Sequence, residues 1–240
     1  MVALLGAAEM VLVFVDVATG AVLHGVVVAT LVTLQARRAR HVEGPALAAL
    51  TLVPLLRLLS LTTPVPEWQP IWWLVLASVP LATAAIIAAR ALGLSRAALG
   101  LGRAHWPTQL GVALTGVPAG IGWWLWADPA PIGVGADTGE LFVLVIVIAL
   151  GIGVLEEFVF RGVIQAALSR AYSDGGVALT AALFGVMYLG TLSVATAVSM
   201  SVIGLAYGII ARVTHSIVGV AISHSLVVVG GLLVWPRVLG

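Results

Sequence analysis

The sequence contains neither cysteine nor lysine, and charged residues of every kind are scarce. Eleven arginines and ten acidic residues make up only 9% of the 240 residues, and the net charge is +1. The lack of cysteine excludes disulfide bonds and thiolate metal sites. The small net charge leaves no broad basic face of the kind that binds nucleic acid. A soluble domain carries about 25% charged residues, so this chain has too few charges to cover a water-facing surface.

Apolar residues fill the chain instead: 61% of it is hydrophobic, and its mean hydropathy is +1.17. A membrane-spanning helix needs about 20 mainly apolar residues. The sequence therefore predicts an all-α fold, a polytopic transmembrane helical bundle of eight to nine spans. The count is eight if the break at Ala18, Thr19 and Gly20 does not separate the first two helices. The nine predicted helices cover residues 1–17, 20–36, 45–62, 71–91, 108–126, 141–168, 176–190, 196–213 and 216–235.

The two sides of the predicted bundle differ in charge. Acidic residues and tryptophans gather on one side, and arginine-rich loops lie on the other; Arg237 is the exception. Because arginine-rich loops stay in the cytoplasm, we predict an integral cell-membrane protein with a cytoplasmic N-terminus. The arginines are Arg37, Arg38, Arg40, Arg90, Arg96, Arg103, Arg170 and Arg212. The opposite side has Glu67, Asp128, Asp137 and Glu140, and a predicted aromatic belt of Trp68, Trp72, Trp73, Trp123, Trp124 and Trp126.

Three ionisable residues, Glu156, Glu157 and Arg161, lie within the sixth predicted helix. A charged side chain in that setting costs at least about 2.5–3.5 kcal/mol. Glu157 and Arg161 are four residues apart, so they share a helix face and can form an ion pair. Glu156 points about 100° away and has no cation on its own helix. A carboxylate so placed can act as a general base toward water. Two glutamates that only hold helices together would give the same spacing.

Two more polar side chains are predicted at a similar depth in the membrane. His224 lies about nine residues, or roughly 13 Å, from the cytoplasmic end of its helix. Glu156 and Tyr188 lie about twelve residues, or roughly 18 Å, from theirs. The similar depths favour a common site on three helices. An intramembrane histidine is also common as an interhelical hydrogen-bonding group, and that interpretation stays open.

A second polar group is predicted near the N-terminus. Glu9 and Asp16 are seven residues apart on the first helix, His24 follows on the second, and Arg57 on the third is a charge partner for one of the acids. We predict mainly a buried network that fixes helix packing. A substrate role, or a path for a small molecule or ion, is the alternative.

Motifs for several common chemistries are absent. The sequence has no HExxH, GxSxG or Walker motif, and no two histidines at metal-ligand spacing on one helix. We expect no metal and no cofactor. A Ser/His dyad stays open, because several serines lie near the last two helices: Ser199, Ser201, Ser223 and Ser225.

Residues 140–235 resemble the CPBP family, which comprises CAAX prenyl proteases, bacteriocin-processing enzymes and Abi-type immunity proteins. That family is marked by EExxxR, by FxxxH on the next helix, and by a His followed four residues later by Asn on a late helix. In this chain the first motif is complete, and the other two each depart at one position. The corresponding residues are Glu156, Glu157 and Arg161, then Phe184 with Tyr188 in place of His, then His224 with Val228 in place of Asn.

The resemblance implies a glutamate-type intramembrane endopeptidase. Glu156 would activate a water, Glu157 and Arg161 would fix the helix, and His224 would stabilise the oxyanion. Tyr188 can donate a hydrogen bond but is a poor base at neutral pH. Losing one oxyanion donor costs about 10²–10³ in rate, so the departures at Tyr188 and Val228 imply altered or reduced catalysis. The alternative is a non-catalytic scaffold or a lipid- or peptide-binding relative, so whether the chain is an enzyme stays open.

The resemblance also divides the chain. We predict N-terminal transmembrane helices of unknown role at residues 1–139 and a CPBP-like peptidase core at residues 140–240, separated by a loop rich in proline and glycine. The expected partners are membrane lipid and a peptide or prenylated, lipid-like substrate, with no nucleic acid. The sequence leaves the oligomeric state open.

Overall fold

The structure is a computed structural model that describes residues 1–62 and 70–240. In these residues nine helices follow one another, and the sole β-type pairing is an isolated bridge between Leu101 and Ser216. The first four helices are α1 Val2–Phe14, α2 Val17–Arg37, α3 Gly44–Leu61 and α4 Leu74–Ala91, whose helical backbone begins at Pro70. The others are α5 Trp106–Ala127, α6 Thr138–Tyr172, α7 Asp174–Thr191, α8 Val194–Thr214 and α9 Val218–Val238.

Eight of the helices in the described residues are long and apolar enough to cross a membrane, which confirms the predicted all-α polytopic bundle. The remaining helix, α1, has 13 residues. A helix of that length spans about 20 Å, less than the roughly 30 Å of a hydrocarbon core. The nine predicted helices are thus present in order, and eight of them qualify as spans. The count of spans is eight because α1 is too short, and not because the first two helices are fused.

The break between α1 and α2 lies at Val15 and Asp16, not at Ala18–Gly20 as predicted. Asp16 caps α2, because its carboxylate accepts a 2.6 Å hydrogen bond from the backbone N–H of Thr19. Asp is among the strongest residues at this position. Hydrogen bonds from Thr19 lower the pKa of the Asp16 carboxyl group, and the bond from the Thr19 side chain has a larger effect than the bond from its backbone. Asp16 is exposed, so its predicted place in a buried network is wrong.

The aromatic belt is also corrected at one position. Trp123 is only 5% exposed and packs against Gly231 of α9, so it belongs to the core. Trp72 and Trp126 are exposed, as an interfacial belt requires. Two of the predicted residues, Glu67 and Trp68, and the side chain of Trp73 lie outside the described residues.

The helix α6 is not a regular α-helix. It is π-helical at Ala149–Val154 and again at Phe158–Gln165, and the α-helical turn Leu155–Glu157 lies between these stretches. Such insertions are frequent at functional sites. Ser225 of α9 donates a 3.0 Å hydrogen bond to the carbonyl of Ala149 and so ties α9 to the first π-helical stretch.

Small residues let α9 approach its neighbours. A Cβ atom at Gly116 of α5 would lie 2.2 Å from the carbonyl oxygen of Ser223, and one at Gly153 of α6 would lie 2.2 Å from Ser225 Oγ. Glycine at such contacts allows transmembrane helices to pack backbone to backbone. The close approach of α5 and α6 to α9 therefore depends on Gly116 and Gly153, which contact the residues immediately before and after His224.

The variant Gly116→Ala should lower the free energy of unfolding by about 1–3 kcal/mol, because the added methyl group meets a backbone atom that cannot turn aside. Gly122→Ala, on the same helix, is the matched control because its Cβ has no neighbour within 4 Å. The control variant should raise the free energy of unfolding by up to about 1 kcal/mol, because alanine has a higher helix propensity than glycine. Unfolding with SDS in mixed micelles measures both, and equal effects would contradict the proposed close contact.

Candidate active site

Glu157, whose side chain is fully buried, lies at the centre of the site. Its Oε1 atom is 3.0 Å from Arg161 Nη1 and 3.0 Å from His224 Nδ1. These are ion-pair distances, although neither contact has the angle of a hydrogen bond. The i, i+4 pair expected on α6 is therefore present. It gains a third member from α9, which spacing along α6 could not reveal.

Arg161 extends the site to α8. Its Nη2 donates a 3.1 Å hydrogen bond to the carbonyl of Gly204, and one turn further Gln165 Nε2 donates to the carbonyl of Gly208 at 2.9 Å. The donors are four residues apart on α6, and the acceptors are four apart on α8. Together the two bonds fix the register of α6 against α8. Sequence analysis missed Gln165, whose spacing of four from Arg161 was the available signal.

Glu156 turns away from this buried group. Its Oε2 accepts a 2.9 Å hydrogen bond from the hydroxyl of Tyr188, which also lies 3.5 Å from His224 Nε2. The structure thus brings together the three side chains that were expected at a similar depth on α6, α7 and α9. A continuous series of contacts runs from Glu156 through Tyr188, His224 and Glu157 to Arg161.

The hydrogen-bonding capacity of these groups limits their arrangement. Tyr188 has one hydroxyl hydrogen, which it donates to Glu156 when that carboxylate is ionised. Its contact with His224 then needs a hydrogen on Nε2. On the other side of the ring, Nδ1 of His224 faces the Glu157 carboxylate at 3.0 Å. Each of the two carboxylates therefore has a polar partner from another helix, Glu156 the hydroxyl of Tyr188 and Glu157 the imidazole of His224, as buried polar groups require.

The aromatic ring of Phe184 packs against the polar residues of the site. It makes edge-on contacts with Tyr188, His224 and Phe160, with centroid distances of 5.2, 5.6 and 4.9 Å. The guanidinium carbon of Arg161 lies 4.2 Å from the same centroid, a cation–π contact. A single apolar ring therefore holds side chains from three helices in place.

A cavity of about 70 Å³ lies between α3 and α4 and reaches Glu156. It is large enough for a few waters, but it is well below the roughly 300–1,000 Å³ of small-molecule sites. Glu156 is partly exposed and Glu157 is not, so Glu156 is the carboxylate that a molecule in the cavity can touch. The rest of the lining is mainly apolar: Leu56, Leu59, Ser60, Leu74, Ala77, Ser78, Leu81 and Gly151.

A comparison with protein families shows what this arrangement is similar to. Residues 138–230 match the model of a family described as type II CAAX prenyl endopeptidase Rce1-like. The match supports membership of the CPBP family for this region. The predicted resemblance is confirmed, and the chain is a CAAX protease-like integral membrane protein. Comparisons with curated proteins and with solved structures gave no match.

The two departures from the CPBP motifs have different surroundings. Tyr188, in place of His, keeps a hydrogen-bond donor on Glu156. Val228, in place of Asn, is 1% exposed and packs in the hydrophobic core. A valine side chain has no hydrogen-bond donor, whereas the asparagine of the motif has one.

The serines near the last two helices of the CPBP region bond elsewhere than to His224. Ser223 contacts Tyr207 at 2.7 Å and Thr115 at 3.1 Å, a hydroxyl cluster that sequence analysis missed. Ser223 and Tyr207 are buried, and Thr115 is exposed. The others donate to backbone carbonyls: Ser199 to Ala195, Ser201 to Ala197, and Ser225 to Ala149 and Ala221. These contacts give no support to a Ser/His dyad.

The second polar group lies outside the CPBP region. Arg57 forms an ion pair with Glu9, and Glu9 Oε2 is 3.3 Å from His24 Nε2. Glu9 and His24 are buried. Asp16 lies on the surface and contacts none of these three residues in the described hydrogen bonds and ion pairs. The packing interpretation therefore applies to these three residues.

Replacing Glu157 with Gln should lower the free energy of unfolding by about 3–5 kcal/mol, because Arg161 and His224 lose their shared anion in a buried site. The matched control is Glu43→Gln, which removes one partner of an exposed pair with Arg38. Exposed pairs contribute about 0–1 kcal/mol. SDS unfolding in mixed micelles measures both variants. A Glu157→Gln effect no larger than the control would contradict the central role of this carboxylate.

Proposed function

We propose that this protein is a glutamate-type intramembrane endopeptidase with reduced catalysis, and that Glu156 is its general base. The observation that carries this proposal is the 2.9 Å hydrogen bond from Tyr188 to Glu156, at the end of a cavity that admits water. A hydrogen-bonded carboxylate at a water-accessible position, next to a histidine, has the parts that hydrolysis needs.

The proposed reaction is the hydrolysis of a peptide bond. Glu156 takes a proton from a water, and the resulting hydroxide attacks the scissile carbonyl carbon. His224 stabilises the oxyanion by hydrogen bonding from Nε2, which requires the Tyr188 hydroxyl to move away from that nitrogen first. When the C–N bond breaks, Glu156 returns its proton to the leaving nitrogen, which leaves a carboxyl group and an amine. Val228 offers no second donor to the oxyanion, so we expect a rate about 10²–10³ lower than with Asn at this position.

The proposed substrate is a membrane-associated peptide with an apolar or prenylated segment. The cavity at Glu156 is lined by four leucines and lies between two membrane-spanning helices, so an apolar group in the lipid can approach it. Because the cavity holds only about 70 Å³, α3 and α4 must move apart before a substrate reaches Glu156.

The second candidate is a non-catalytic relative that binds a peptide or lipid tail in the same cavity. Val228 favours it, because the position has no hydrogen-bond donor. Tyr188 also favours it, because tyrosine is a poor base at neutral pH and stands where the motif has histidine.

Cleavage of a library of lipid-modified and transmembrane peptides distinguishes these functions. The protein is assayed in nanodiscs, and the products are identified by mass spectrometry. The wild-type protein should cleave peptides of the library slowly, and the variant Glu156→Gln should cleave none. The double variant Tyr188→His/Val228→Asn restores both motif residues and should gain about 10²–10³ in rate. If neither the natural chain nor the double variant cleaves while an active family member does, the binding function replaces the peptidase.

We also propose that the arginine-rich ends of the helices face the cytoplasm, and that the N-terminus lies on the same side although α1, with 13 residues, is shorter than a full span. The cysteine-free chain allows a direct test with single-cysteine variants. Ala130→Cys, in the acidic loop, should react with a membrane-impermeant maleimide on intact cells. Ser95→Cys, in an arginine-rich loop, should react only after permeabilisation. The opposite pattern would reverse the proposed orientation.

A further inference from the structure

Arg57 of α3 lies outside the CPBP region, yet it contacts the segment that carries Tyr188. Its Nη2 donates a 2.7 Å hydrogen bond to the carbonyl of Met187, the residue before Tyr188. Its guanidinium also lies against Gly190, where a Cβ atom would be 2.6 Å from both Nη1 and Nη2. Arg57 therefore contacts the backbone on both sides of Tyr188.

The backbone at this point has few partners of its own. The α-helical part of α7 ends at Met187, and Tyr188–Thr191 forms a 3₁₀ turn that stops at Leu192, whose φ is 59°. The last carbonyls of a helix lack intrahelical partners, and a cation next to them is favourable. The carbonyl of Met187 accepts from Arg57, and that of Tyr188 accepts from Thr191 Oγ1 at 2.8 Å.

Arg57 is itself held firmly. Both oxygens of the Glu9 carboxylate contact its guanidinium, one of them Nε at 2.9 Å. Two parallel bonds of this kind fix the plane of the guanidinium as well as its distance. Glu9 is fully buried, and His24 lies beside it. The Arg57 guanidinium, which contacts the backbone around Tyr188, is thus held in place by residues of α1, α2 and α3.

We propose that Glu9 and Arg57 are positioning residues that set the place of the Tyr188 hydroxyl against Glu156. The N-terminal helices then form part of the site, beyond their role in packing. The consequence for catalysis rests on the proposed function, but the position of Tyr188 can be measured without any activity.

The chain has only three tyrosines, at positions 172, 188 and 207, which makes the test direct. Labelling with 3-fluorotyrosine gives three ¹⁹F resonances in nanodiscs, and Tyr188→Phe assigns one of them. Arg57→Gln should shift or broaden the Tyr188 resonance and leave those of Tyr172 and Tyr207 in place. Arg237→Gln is the matched control, because Arg237 also donates to backbone carbonyls, among them that of Ile132 at 3.0 Å. It should move none of the three.

An unchanged Tyr188 resonance in folded Arg57→Gln would overturn the proposal. If all three resonances change, the variant has lost its fold, and Arg57→Lys decides instead. Lysine keeps the charge but cannot form the two parallel bonds, so Tyr188 alone should shift. A Tyr188 resonance that stays in place in Arg57→Lys would also overturn the proposal.

Where cleavage is detected, Arg57→Gln should lower kcat about 10²-fold with little change in KM, because the Tyr188 hydroxyl would be displaced from its position beside Glu156. A lack of cleavage in the natural chain would count against the peptidase function alone. The resonance of Tyr188 would still decide whether Arg57 sets its position.

Discussion

The buried carboxylate of Glu157 is the constraint on which the rest of the site depends. A charge in a low-dielectric interior is tolerated only with partners, and this one has Arg161 on its own helix and His224 on α9. Each partner then contacts a further helix, Arg161 through the Gly204 carbonyl of α8 and His224 through the Tyr188 hydroxyl of α7. The need to neutralise one anion thus ties together four helices that hydrophobic packing alone would leave free to slide.

Two adjacent glutamates meet different surroundings because neighbouring residues of a helix point about 100° apart. The π-helical stretches flank the turn that carries Glu156 and Glu157, and Ser225 satisfies a backbone carbonyl in the first of them. Glu157 is directed into the packed interior, and Glu156 reaches the cavity between α3 and α4. One side chain therefore stabilises the fold, while its neighbour stays accessible for the chemistry we propose.

What the sequence could predict were the features that depend on one segment at a time. Hydropathy located the nine helices, and a spacing of four located the pair of Glu157 and Arg161. Features that depend on how helices rotate against each other were missed, such as the bond of Gln165 to Gly208 and the burial of Trp123. Asp16 was misplaced because a capping aspartate and a buried one look alike in an apolar stretch. The meeting of Tyr188 with Glu156 was only suggested by depth, since rotation decides whether side chains at one depth touch.

The contacts between α6 and α8 bear on which amino-acid substitutions along α8 would preserve them. Arg161 and Gln165 bond to main-chain carbonyls, which every residue type provides. Most side chains of α8 can therefore be exchanged without loss of these bonds. The exceptions are Gly204 and Gly208, where a Cβ atom would lie 3.0 Å and 2.7 Å from the donor side chains. Substitutions at Gly204 and Gly208, which lie one helical turn apart, should therefore disturb these bonds most directly.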